Sequence, residues 1–180
     1  MGTTDGGSPT AVGEDPSLVV VCGLPGAGKS RAAQSLGDWL SAAVYRTDEV
    51  RTELCDDPTY DTSETKRVYA AVRERAVETV ETGDRAVLDG TYRTASLRAD
   101  VATVGARFGV DPLFLKLECP ESVTRERLGV RTGDASDAGM EAYYRVREEF
   151  DPLRREHVRV DNSGDRSRTR EQLRTALSDL

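Results

Sequence analysis

The chain has 180 residues, a formal net charge of −7, 37% hydrophobic and 32% charged residues. That length suits one domain with a real core, and no apolar run approaches the roughly 20 residues of a membrane span. Cys22, Cys55 and Cys119 form no C-x-x-C pair and fit a reducing cytoplasm better than a disulfide scaffold. A single histidine, His157, excludes a histidine-based metal cluster or triad. The basic residues include only three lysines, Lys29, Lys66 and Lys116. Excess acid with scarce lysine fits a surface adapted to high salt.

Residues 1–16 are polar, acidic and rich in glycine, and read as a disordered leader. Residues 17–180 read as one domain in which strand and helix patterns alternate. This is the signature of an α/β fold with a parallel sheet. The first strand is expected at Leu18–Cys22 and the second at about Ala42–Arg46. A helix follows at about Ser63–Thr82, with Val68, Ala71, Val72, Ala76 and Val80 at helical spacing. The third strand is expected at about Arg85–Leu88, and a helix at about Ala95–Phe108 stops at Gly109. The fourth strand is Leu113–Glu118, and a helix covers about Glu121–Val130. A polar loop, RTGDASDAG, precedes a helix expected over Met140–Arg155. The fifth strand is about His157–Val160, and a terminal helix closes the chain.

The turn after the first strand reads Gly23-Leu24-Pro25-Gly26-Ala27-Gly28-Lys29-Ser30. It fits G-x-x-x-x-G-K-[ST] at every fixed position, between a strand and a helix as the motif demands. Backbone N–H groups of such a loop wrap a phosphate chain, so side chains must be absent where the anion approaches. Lys29 can reach the β- and γ-phosphates, and the Ser30 hydroxyl can ligate Mg²⁺. The helix that starts here aims its positive end at the anion.

Acids follow four strands: Asp48, Asp89, Glu118 and Asp161. Ligands of open α/β sheets collect at those strand ends. Asp48 and Arg51 lie three apart, on one face of a helical turn. They read either as a general base beside an arginine that grips substrate, or as an N-cap with a local ion pair. Asp89 can hold Mg²⁺ beside Ser30 through water, bind the acceptor, or simply form an Asp-Gly turn. Arg127 and Arg131 are i and i+4, and lead into the polar loop. Arginines on a closing lid exclude water and neutralise a transferred phosphoryl group.

With these residues assembled, the chain resembles the P-loop kinases of the AAA-type ATP-binding group, which are similar to gluconate kinase, zeta-toxin-type kinases and the polynucleotide kinase domain. GLPGAGKS carries the resemblance most strongly. TDEVR looks like the acceptor-side D-x-x-R, with Asp48 matching the base and Arg51 its partner. AVLDGTY looks like the third strand ending in an acid. RERLGVR with Ser136-Asp137-Ala138 looks like the lid, at about 127–139, and VDNSG like the loop that borders adenine. The resemblance implies a three-layer sandwich with a five-stranded parallel sheet in the order 2-3-1-4-5. It implies an enzyme using ATP and Mg²⁺ to phosphorylate a hydroxyl.

The expected activity is therefore phosphoryl transfer to a small-molecule acceptor by a cytoplasmic monomer or homodimer that does not engage membranes. A kinase for a 5′-hydroxyl end of nucleic acid or a tRNA-linked group is the alternative, and a stand-alone ATPase or nucleotide switch is another. The stretch placed to recognise the acceptor, ELCDDPTYDTSET, is acidic and argues against a large anionic acceptor. No N-K-x-D motif is present to read guanine.

Overall fold

The computed structural model describes residues 16–132 and 136–178. Most of the expected leader, and part of the expected lid, therefore lie outside the described residues. Strand β1 (Leu18–Cys22) is five apolar residues, all buried, three of them valine. β-branched side chains suit a pleated strand, and a run that is apolar on both faces suits the middle of a sheet covered on both sides. β1 indeed pairs in parallel with β3 (Ala86–Asp89) on one side and β4 (Leu113–Glu118) on the other. β2 (Ala43–Arg46) and β5 (Val158–Asp161) complete a five-stranded sheet in the order β2-β3-β1-β4-β5.

Side chains of β1 alternate between two cores, as the period of two requires. Val19 and Val21 pack with Leu36, Leu115 and Leu173, beneath α1 (Lys29–Leu40) and α7 (Arg166–Ser178). Leu18, Val20 and Cys22 pack with Val68, Val72 and Phe114, beneath α3 (Thr62–Glu81) and α4 (Ala95–Arg107). Burial pushes the Cys22 thiol up to about 11, against the lowering influence of Arg98, Lys116 and Lys29. Short α2 (Thr47–Leu54) follows β2 directly, while α5 (Glu121–Thr132) and α6 (Ser136–Glu148) follow β4. No helix among the described residues is long and apolar enough to cross a membrane.

One expectation needs correction. The helix read as Met140–Arg155 runs from Ser136 to Glu148. Pro152 disfavours helical backbone at Asp151, and the segment is recruited elsewhere. The Asp151 carboxylate accepts the Ala95 N–H at 2.8 Å, and the Asp151 N–H donates to the Arg93 carbonyl at 2.8 Å. Residues 150–155 thus form a strap across the start of α4.

Arg98 secures that strap. Its guanidinium, almost fully buried, donates to the carbonyls of Tyr92 (2.6 Å), Arg93 (3.1 Å), Asp151 (3.0 Å) and Pro152 (3.1 Å). Two of these carbonyls belong to the loop that follows Asp89 at the end of β3, and two to the strap, so one guanidinium ties the two segments together. Arg98→Leu keeps the bulk but leaves those acceptors unpaired. It is expected to destabilise the fold by about 2–4 kcal/mol. Urea denaturation checks this, and an unchanged midpoint would remove the strap's role.

Candidate active site

The loop between β1 and α1 is shaped by three glycines with positive φ: Gly23 (143°), Gly26 (78°) and Gly28 (90°). L-residues resist this backbone region, and space forbids side chains as well. A Cβ at Gly23 would strike the Leu117 carbonyl oxygen, at Gly26 the Thr124 methyl (2.7 Å), and at Gly28 the Asn162 amide. Gly28 leaves α1 without a side-chain cap, and the first turn of α1 carries no acid. The helix's opening N–H groups are thereby available to an anion. Lys29 folds back over the loop and donates to the Leu24 carbonyl at 2.9 Å. Leu24, Pro25 and Ala27 complete the turn, with the Ala27 N–H donating to the Leu24 carbonyl at 3.2 Å.

Two carboxylates face this loop. Asp89, the last residue of β3, is buried and lies beside Ser30. Burial raises its pKa. The nearby Ser30 hydroxyl and the charges of Lys29 and Arg46 oppose that rise without cancelling it, and Asp48 adds to it. Burial likewise lowers the Lys29 pKa, against the pull of Asp89 and then Asp48. Lys29, Ser30, Asp48 and Asp89 are therefore one electrostatic cluster at the ends of β1, β2 and β3. Asp48, near the start of α2, is exposed, and its carboxylate makes no hydrogen bond among the described residues. The Ser30 hydroxyl and Asp89 carboxylate, neighbours beside the loop, are hard oxygen donors that fit Mg²⁺, which keeps several waters of its own.

Sequence reasoning missed Arg46. It ends β2 in register with Asp89, donates to that carboxylate at 3.4 Å, and pairs with Glu49 at 2.7 Å. An arginine closing an otherwise apolar strand was the available signal.

Arg51 lies apart from the cluster. It is buried between α2 and α3 and paired with Glu64, itself buried. Asp61 caps α3 by accepting the Glu64 N–H at 2.8 Å. Burial pushes the Glu64 pKa up, but N–H and O–H donors from Thr59, Arg51 and Tyr60 hold it below the ordinary carboxylate value. Glu64 was not singled out from sequence, although D-x-x-E at a helix start marks a capping position.

Arg127, on α5, reaches the phosphate loop from the far side. It donates to the Asn162 carbonyl at 2.7 Å and to the Gly26 carbonyl at 3.5 Å. The Asn162 side chain donates to the Ala27 carbonyl at 2.7 Å and accepts from Thr169 at 2.7 Å. The VDNSG loop and the phosphate loop are thus laced together. Arg131 falls outside the described side chains.

The raised pKa of Asp89 carries a sign. The ionised carboxylate costs stability once pH rises through its folded-state value, and the cost vanishes below its ordinary value of 3.8. With chelator present, Asp89→Asn is expected to gain stability over wild type at neutral pH. The gain shrinks as pH falls toward 3.8. Urea midpoints measured across pH check this, and a pH-independent difference would contradict the buried-charge account.

Residues 18–153 match the family described as AAA domain. Among curated proteins, the chain is 31% identical over 139 residues to Protein KTI12 homolog of Mus musculus, a match covering 73% of this chain and 39% of that protein. It is 27% identical over 136 residues to an uncharacterized protein of Mycobacterium tuberculosis, covering 69% of this chain and 27% of that protein. The chain therefore spans well under half the length of either relative. Among solved structures, a gluconokinase from Sinorhizobium meliloti superposes with a TM-score of 0.68 at 22% identity, over 91% of this chain and 90% of that one. The Mycobacterium tuberculosis APS kinase CysC, in complex with AMPPNP and APS, superposes with a TM-score of 0.71 at 20% identity, over 89% and 95%. Those likenesses establish the fold, and the match over residues 18–153 establishes the lineage: this chain belongs to the AAA domain family and has the architecture of a P-loop kinase.

Proposed function

We propose that this protein is an ATP-dependent phosphotransferase that moves the γ-phosphoryl group to a hydroxyl of a small molecule. The observation that carries this reading is Asp48. Its carboxylate is exposed, makes no hydrogen bond among the described residues, and stands close enough to Lys29 and Asp89 for its charge to act on both. A nucleotide switch has no need of a free carboxylate there, whereas a kinase needs a proton acceptor for the attacking hydroxyl. The three free thiols are consistent with a reducing cytoplasm.

In this reading the Gly23–Ser30 backbone and the start of α1 hold the β- and γ-phosphates. Lys29 neutralises charge on the transferred group. Ser30 and Asp89 hold Mg²⁺, which supplies further positive charge at the phosphate oxygens when bound. Asp48 takes the proton from the acceptor hydroxyl as its oxygen bonds to the γ-phosphorus. The bond from phosphorus to the β,γ-bridging oxygen breaks and ADP leaves. Arg127 borders the nucleotide, and Arg131 on the same helix is assigned to charge stabilisation with it. Arg51 acts as a positioning residue, fixing α2 and hence Asp48 against α3.

Lys29→Ala is expected to weaken ATP binding strongly, because no other lysine lies in the loop. Titration calorimetry measures this, and unchanged affinity would sink the phosphate-loop assignment. Asp48→Asn keeps shape and removes the proton acceptor. ATP affinity should stay within a few-fold of wild type while transfer to an acceptor falls by about 10² or more. Transfer of γ-labelled phosphate to a panel of hydroxyl compounds, at high KCl with Mg²⁺, is the measurement. Full transfer by Asp48→Asn would reject Asp48 as the base. Hydrolysis of ATP without transfer to any acceptor, equal in both proteins, would favour the ATPase reading.

A further inference from the structure

The segment between α2 and α3 carries an unusual residue just before the Asp61 cap. Tyr60 is 60% exposed, the most exposed large hydrophobic side chain among the described residues. Its φ is +57°, in the left-handed region that bulky L-residues avoid. Exposure and backbone strain are both unfavourable, and they persist only where surrounding structure imposes them. Here it does. The Tyr60 N–H donates to Glu64 at 3.2 Å, and the Thr59 N–H and hydroxyl donate to the same carboxylate at 2.7 and 3.0 Å. The Arg51 guanidinium, itself held by Glu64, lies 4.5 Å from the ring centroid. One face of the ring is therefore fixed on a buried cation and the other is presented to solvent. Arg51 is three residues, or about 4.5 Å of helical rise, beyond Asp48 on α2.

We propose that Tyr60 is the platform of the acceptor subsite and that its occupant is an uncharged ring bearing hydroxyls, either a free sugar or a nucleoside. This rests on the kinase reading above, and deepens it. The choice of ligand follows from charge. The stretch 53–61 carries Glu53, Asp56, Asp57 and Asp61 and no basic residue, which disfavours an anion. Glu53 is engaged by Arg75 and Asp61 by the α3 cap, while Asp56 and Asp57 are exposed. Arg67 acts on Asp61 from α3, so it offsets one of these charges only. The pull of Tyr60 on a cation is weakened in turn, because the Arg51 guanidinium already occupies the inner face of the ring. A neutral ring meets no repulsion from the carboxylates and needs no cation–π attraction. Its apolar face stacks on Tyr60, its outward hydroxyls donate to exposed carboxylates such as Asp56 and Asp57, and one hydroxyl is directed to Asp48.

The test has two parts, both made on the full chain. Binding is read by saturation-transfer NMR with a non-hydrolysable ATP analogue and Mg²⁺ present. The probes are D-glucose and D-ribose in one arm, uridine and cytidine in another, and gluconate and choline as charged controls. A neutral arm is expected to bind, and which one does so tells sugar from nucleoside. Transfer kinetics on the neutral probe that binds are then compared among wild type, Tyr60→Phe and Tyr60→Ala. Tyr60→Ala is expected to raise KM for that probe about tenfold with kcat changed far less, and Tyr60→Phe to restore it. ATP affinity should be unchanged in both, and melting curves confirm that the variants are folded. The platform is rejected if only gluconate or choline binds, if no neutral ring binds while ATP does, or if Tyr60→Ala leaves KM and the NMR signal unchanged. Phosphorylation of a charged control would leave the kinase reading standing while this inference fell. A neutral ring that needs Tyr60 to bind yet never accepts phosphate would overturn the kinase reading instead, leaving the subsite.

Discussion

A loop that turns bare backbone toward an anion site can be braced by few of its own side chains. The rest of this molecule is arranged around that constraint. Gly23, Gly26 and Gly28 are bare toward the ligand and toward the protein alike, so the loop is supported by contact from outside. Leu117 in β4 presses on Gly23, Thr124 in α5 on Gly26, and Asn162 after β5 on Gly28. Each support comes from an element later in the chain. The parallel order, with β1 between β3 and β4, brings these elements behind the loop.

The same order collects charge. β2 and β3 end beside each other and deliver Arg46, Asp48 and Asp89 to one rim, opposite Lys29 and Ser30. Asp89 is buried in spite of its charge, and the balance among its neighbours leaves its pKa above the ordinary value. That is a locally unfavourable arrangement for the free protein and a favourable one for holding a hard cation. Sites of this kind are where a fold tolerates a cost that its core does not share.

The chain is rich in arginine, and the structure divides those arginines by task. Arg98 serves four backbone carbonyls, Arg155 packs over Phe114 at 4.4 Å, and Arg51 is locked to Glu64. These hold segments that have little regular structure of their own: the 150–155 strap and the turn before α3. A planar guanidinium with several donors suits such work better than an ammonium does. The seven-residue acidic turn before α3 is consequently tied down at Thr59 and Tyr60 by Glu64, with Arg51 beneath the Tyr60 ring.

Much of this was legible in the residues alone. The apolar run Leu18–Cys22, the glycine spacing and the Lys-Ser ending specify a buried strand, a phosphate loop and a helix start, because each depends on neighbours within a few positions. Alternation of strand and helix periods specifies a parallel α/β sheet for the same reason. The strand order came from resemblance, and the boundary of α6 was misread because helical periodicity continues past Glu148 while the partners that end the helix, Ala95 and Arg98, lie far back in the chain. Arg51 illustrates the limit best. Its spacing from Asp48 places both on one helical face, yet Glu64, 13 residues on, draws it into the seam between α2 and α3. Arg46 meets Asp89 across 43 residues, and Asn162 meets the phosphate loop across 135. Local sequence sets backbone preference and hydrophobic period, which act over one or two turns. Which charge is paired, which is buried and which is left free depends on contacts that exist only once the sheet has closed.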